Sequence, residues 1–239
     1  MILDTLHTIL YVPLYNTLIF LVDKVPWHDV GIAVILVTII VRVILFPLSK
    51  RAVDSQLAMK KIAPEVETLK AKYKSDPIEQ NKAIFALYKE RGIHPLAGIG
   101  LLLLQLPVLI ALYYMFVYGG LPEIKTDLLY SFVGVPESVN MHFLGLVDMA
   151  AVHNLPLAIL LAVSQFFYTR LSMGTSQKDS PVEASLSKDL AKSFDFQARY
   201  VMPLIIGGVG YFFPSVAALY LLTANIFMIG QEFLSGRRL

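Results

Sequence analysis

One stretch of this chain, GIAVILVTIIVRVILFPL at 31–48, restricts its fold more than any other, because it carries a single charge, Arg42. As a helix it is about 27 Å long at 1.5 Å per residue, close to the ~30 Å hydrocarbon thickness of a bilayer. Four further apolar segments follow. They are 96–118, holding Gln105 and Pro107; 155–168, LPLAILLAVSQFFY, running on to Arg170; 200–213, cut short by Pro214; and 215–234. Hydrophobic residues make up 56% of the 239 positions and charged ones 16%, against about 25% charged in soluble domains. Mean hydropathy is +0.64. A soluble fold of this size leaves about a quarter to a third of its unfolded surface exposed, which is too much area for so few charges. The expected fold is therefore all-α and polytopic: a five-span helical core, a cytoplasmic αα-hairpin and an N-terminal interfacial amphipathic helix. The fourth segment is too short to cross a full bilayer unless it is tilted, sheltered or set in a thinned membrane. With no Cys, disulfides, thiolate metal sites and a Cys nucleophile are excluded.

The first 22 residues lack a basic n-region and a small-residue cleavage site, so no cleavable signal is read there. Leu3, Leu6, Leu10, Leu14, Leu18 and Leu21 recur at three- and four-residue steps among Asp4, His7, Thr8, Asn16 and Thr17. That spacing suits a helix lying in the membrane interface; a sixth span is the competing reading. The expected organisation is an extracytoplasmic interfacial helix at 1–24 and a five-span core at 25–239. The core includes the cytoplasmic hairpin, 49–95, and an external loop, 119–154. Orientation follows from charge. All of the 20 Lys and Arg residues except Lys24, Arg42 and Lys125 fall in 49–95, 169–199 and the tail. The positive-inside rule makes those three segments and the C-terminus cytoplasmic.

Within 49–95, Val53, Leu57 and Ile62 lie on a charged background before Pro64. Asp76-Pro77-Ile78-Glu79 is a helix start, with an Asp N-cap, Pro at the first position and Glu placed for a capping box. That helix is expected to run to Arg91 and stop at Gly92. Its basic surface fits either anionic headgroups or a partner and substrate contact.

Arg42 is the residue that asks for a function. It lies about 16 Å from residue 31 and about 12 Å from residue 50 along a helix, within hydrocarbon, where an Arg costs roughly 2.5–3.5 kcal/mol on insertion scales. No Asp or Glu lies mid-span; Glu232 falls in the last turn of the fifth segment. Snorkelling to headgroups is one solution, and a hydrophilic cavity open to one side is the other. Thr38 shares a face with Arg42, and Gln105, Ser164, Gln165, Thr223 and Asn225 are the remaining mid-span polar residues. Each alone suits an interhelical hydrogen bond. Together with an uncompensated cation they outline a wet, positively charged groove.

At these residues the chain resembles the YidC/Oxa/Alb family of membrane protein insertases. The resemblance is carried by VTIIVRVILFPLSKR (37–51), Met59, Ala63-Pro64-Glu65, Leu69 with Lys72-Tyr73-Lys74, Leu87-Tyr88-Lys89 and Pro95. It continues through LLLLQLPVLIALY (101–113) and VMPLIIGGVGYFFPSVAALYLLTANIF (201–227), so it covers residues 30–235. The family's first-span Arg falls on Arg42 and its second-span polar residue on Gln105. The chain departs from the pattern at His94, where Asn is usual. It has no large extracytoplasmic domain ahead of the first span, and it ends at SGRRL without a long basic extension, so ribosome docking through the tail is not expected.

The resemblance implies an insertase and chaperone in a bacterial plasma membrane. Nascent membrane proteins would be its substrates, the Sec translocon and the ribosome candidate partners, and anionic lipid its surroundings. It implies function as a monomer, with neither cofactor nor nucleic acid. The expected groove residues are Arg42, Thr38, Gln105, Gln165, Thr223 and Asn225. No phosphate-binding loop, HExxH pair or GxSxG elbow occurs, so no enzyme activity is expected. An anion channel or transporter using Arg42 as its selectivity site is the strongest rival, although the charges nearest the external span ends, Asp29, Glu123 and Asp148, are acidic. A passive scaffold is the other.

Overall fold

The computed structural model describes residues 7–94, 97–119, 121–173 and 195–234. Leu3, Leu6, Pro95, the lysines of the 174–194 stretch and the SGRRL tail lie outside the described residues. Two compact units are formed, Met1–Val43 with Pro107–Leu239, and Ile44–Leu106.

In the first unit a π-turn, His7–Tyr11, leads into α1, Val12–Lys24. α1 is about 20 Å long, short of the hydrocarbon thickness. It buries Leu14, Tyr15, Leu18, Ile19 and Val22, the three- and four-residue spacing of an amphipathic helix. Leu14 and Leu18 of the expected leucine stripe are on that face, while Leu10 and Leu21 are half-buried. Asn16 fixes α1 to a distant segment, donating to the Leu128 carbonyl at 2.8 Å and accepting the Tyr130 N–H at 2.6 Å.

α2, Val30–Lys61, begins in this unit and continues into the other. It is a single helix that runs well past the expected end of the first apolar segment at residue 48, with Pro47 inside it. The Ser49 hydroxyl donates to the Phe46 carbonyl at 3.0 Å beside the proline. The later half of α5, Ala97–Val117, also belongs here. It is followed by α6, Leu155–Met173; α7, Met202–Phe212; and α8, Ser215–Leu234. α7 has 11 residues, about 16 Å, so the fourth apolar segment is as short a helix as its sequence indicated. A π-turn, Gln197–Val201, lengthens it at the polar end. Gly207 and Gly210 let α7 approach α6 closely: a Cβ at Gly207 would stand 2.8 Å from that of Ala162. Small residues at such crossings are what dispersion-driven packing in lipid requires. The core joins α1, the start of α2, the end of α5, α6 and α8 through Leu18, Val34, Leu112, Met115, Leu161 and Leu219.

The segment between α5 and α6 is more structured than a loop reading of 119–154 suggests. A short antiparallel hairpin, β1 (His142–Phe143) and β2 (Val147–Asp148), lies within it. Val30 N–H donates to the Asn140 carbonyl at 3.0 Å, Val216 N–H to Met149 at 3.0 Å, Ser215 N–H to Ala151 at 2.8 Å, and His153 N–H to Tyr211 at 2.8 Å. One strap of chain thus ties together the start of α2, the end of α7 and the start of α8. His142 pairs with Asp148 in the hairpin, and the His153 ring packs edge-on against Tyr211 at 5.0 Å.

The second unit contains α3, Ala63–Lys72, and α4, Pro77–Glu90. Asp76 caps α4 as expected, accepting from Ile78 and Glu79 N–H at 3.1 Å each, and Gly92 takes φ +63 just past the helix, the usual left-handed stop. The reciprocal half of the expected capping box is absent. The Glu79 carboxylate instead pairs with Lys82 at 2.7 Å, because a Lys three residues on offers it a full charge. Ile62, Val66 and Ile93 form a small core with Ile84, Leu87 and Tyr88. Arg91 Nη2 adds a contact to both carboxylate oxygens of Glu65, at 2.9 and 3.1 Å.

Candidate functional site

Arg42 is held on the inward face of α2 and only 7% exposed. It has neither an ion pair nor a hydrogen bond among the described residues. A guanidinium has five N–H donors, and burying it without a counter-charge costs several kcal/mol. Two phenols, Tyr220 on α8 and Tyr168 on α6, lie close enough to interact electrostatically with it. The Arg42 nitrogens are not among the fully enclosed, partnerless side-chain atoms of the described chain.

Several of the other expected residues satisfy themselves locally. Thr38, fully buried one turn before Arg42, donates to the Val34 carbonyl at 2.7 Å. Thr223 donates to Leu219 at 2.8 Å, and half-buried Gln165 donates to Thr169 Oγ1 at 3.3 Å. Asn225 Nδ2 donates to Ser164 Oγ at 3.1 Å, and that hydroxyl donates to the Leu161 carbonyl at 2.8 Å. The Asn225–Ser164 pair is thus a cross-link between α8 and α6, as each polar residue alone suggested. Gln105 is half-buried on α5 and belongs to the other compact unit.

Tyr168 and Tyr220 were missed by the sequence reading. A signal was present: Tyr168 stands four residues after Ser164, on the same helical face. Residue type concealed it, since a Tyr within an apolar run reads as core.

Outward, the helices present Ile39, Ile40, Val43 and Ile44 of α2, and Leu155, Ile159, Leu160 and Val163 of α6, each more than a third exposed. Apolar surface of that extent is not left to water. Val30–Met59, Leu155–Met173 and Ser215–Leu234 are long and apolar enough to cross a bilayer, and Gln105–Val117 is a shorter apolar helix. These features define an all-α polytopic membrane protein, with polar groups and a cation turned inward.

The sequence places it further. The chain belongs to the 60Kd inner membrane protein family, whose profile matches residues 21–239. It is similar to the membrane protein insertase YidC of Oceanobacillus iheyensis, 30% identical over 213 residues, which are 87% of this chain and 74% of that one. The membrane protein insertase YidC of Burkholderia cenocepacia is 29% identical over 234 residues, 97% of this chain and 36% of its own. That of Paraburkholderia phymatum is 28% identical over 228 residues, 95% and 36% respectively. The chain therefore spans about a third of the length of these last two relatives.

Proposed function

We propose that this chain is a membrane protein insertase and chaperone working in a bacterial inner membrane. In this reading a hydrophilic, positively charged groove around Arg42 opens to the cytoplasm and to lipid. The observation that carries the reading is a buried guanidinium flanked by Tyr168 and Tyr220, with no carboxylate paired to it among the described residues. An arginine already neutralised by its own protein has nothing to offer a substrate, whereas this one retains its charge for an incoming acidic group. The insertases similar to the chain support the same function.

The physical sequence is short. The polar tail of a substrate enters the groove, which shortens the apolar barrier it must cross. Arg42 attracts an acidic residue of that tail. The substrate's apolar segment then partitions into lipid along the exposed sides of α6 and α8, driven by roughly 25 cal/mol per Å² of buried apolar surface. The membrane potential adds about 2.3 kcal/mol per acidic charge per 100 mV. Thr38, Gln165, Thr223 and Asn225 would line or support the groove; Gln105, in the other compact unit, is a candidate on the family resemblance alone.

The test is reconstitution of purified chain in liposomes with a small membrane protein bearing an acidic external tail, read by protease protection. A charge-assisted contact is worth about 1.5–3 kcal/mol, so Arg42→Ala should insert at least about tenfold less and Arg42→Lys should retain much of the activity. Full insertion by Arg42→Ala removes the attraction step. Anion flux without insertion would favour the channel reading instead.

A further inference from the structure

Trp27, Leu144 and Leu146 are 74%, 56% and 84% exposed, and two of them are held there at a backbone cost. Trp27 has φ 57 and Leu144 has φ 51, left-handed values that are outliers for bulky residues and persist only where the surroundings impose them. Around Trp27 a short turn is closed by the His28 N–H to the Val25 carbonyl and the Asp29 N–H to the Pro26 carbonyl, at 3.2 and 3.3 Å; at Leu144 the surroundings are a clamp. Asp29, 1% exposed, accepts the Gly31 and Ile32 N–H groups on Oδ1 and the Leu144 N–H on Oδ2, at 2.8, 3.1 and 2.7 Å. Phe143 of β1 covers Gly31 so closely that a Cβ there would collide with its ring. The β1–β2 hairpin is thereby laid against the first turn of α2, with Leu144 and Leu146 at its tip and Trp27 two residues before the capping Asp29.

The geometry points to a lipid-immersed wedge: Trp27 and the hairpin tip insert into the membrane leaflet at the Val30 end of α2. This is the outer leaflet on the orientation expected from the charges. Level is the first reason. From Val30 onward α2 carries no charge until Arg42, and Thr38 is its only polar side chain in that stretch, so the clamp stands where the helix enters hydrocarbon, the depth that Trp prefers. Tyr114 and Tyr118, at the end of α5, are 51% and 64% exposed, as an interfacial belt requires. Area is the second reason. Three side chains supply only a fraction of the ~800 Å² per partner of a stable protein interface, but they extend the apolar surface that the spans already present to lipid. The wedge would fix the depth of the strap that joins α2, α7 and α8.

Trp27 is the only Trp and there is no Cys, so the native chain is its own probe. The full chain is reconstituted in phosphatidylcholine–phosphatidylglycerol vesicles, with and without lipids brominated near the headgroup end of their acyl chains. Emission of Trp27 should fall about twofold with brominated lipid, as for an indole at headgroup level, and be little affected by aqueous iodide. A Leu146→Cys variant carrying an environment-sensitive fluorophore should show the same preference. Quenching by iodide alone would mean a solvated loop, and quenching by neither would mean a protein-covered surface; either result overturns the wedge. The readout needs no substrate, so its failure is separate from failure of the insertase reading.

Discussion

Replacing Asp29 with Ala should cost about 2–4 kcal/mol of stability. The carboxylate does two jobs at once. Its Oδ1 caps α2 through Gly31 and Ile32 N–H, and loss of such a cap costs about 1 kcal/mol. Its Oδ2 takes the Leu144 N–H at 2.7 Å, and orphaning that part-buried donor costs about 1–3 kcal/mol. The strap is not released altogether, because the Val30–Asn140 and Asn140–His28 backbone bonds remain. Asp29→Asn keeps an acceptor for the cap but turns an amide toward Leu144 N–H, so it should fall between wild type and Ala. The assay is denaturant unfolding in detergent micelles. It is followed both by Trp27 emission, which reads the clamp, and by far-ultraviolet circular dichroism, which reads the helices. Coincident transitions license a single free energy. An Ala variant within ~0.5 kcal/mol of wild type, the range of an ordinary surface change, would refute the clamp. So would an Asn variant less stable than Ala, since acceptor geometry would then not be what matters.

Gly207→Ala should destabilise by about 1–3 kcal/mol in the same unfolding assay, and more than Gly210→Ala. The new methyl at 207 meets the Ala162 Cβ, whereas that at 210 first meets the movable end of Leu161. Asp76→Ala should lose about 1 kcal/mol of local α4 stability, read as faster amide exchange in the first turn of that helix. Glu65→Ala should shift stability by no more than about 1 kcal/mol, because its pair with Arg91 is roughly half exposed on both sides and such pairs are worth little. Asn225→Ala should cost about 0.6 kcal/mol, the average for hydrogen bonds between membrane helices; Ser164 keeps its bond to Leu161.

Much of this architecture is written in local chemistry. The apolar runs at 31–48, 155–168 and 215–234 demand helices because lipid offers no partner to a bare backbone, and α2, α6 and α8 follow. Asp76 and Gly92 mark the limits of α4 because cap and stop act over a few residues. Pro214 ends α7, and Arg42 is conspicuous because a charge among aliphatic residues needs no structure to be noticed. Tertiary contacts decided the rest. Residues 49–61 continue α2 instead of starting a separate helix, since Pro47 is tolerated within it. Tyr168 and Tyr220 meet Arg42 only through the packing of α6 and α8 around α2. Asp29 meets Leu144 across more than a hundred residues, a pairing that no periodicity encodes. A span is specified by its own transfer free energy, residue by residue. A cation's neighbours and a strap's anchor are specified only by which distant surfaces pack together.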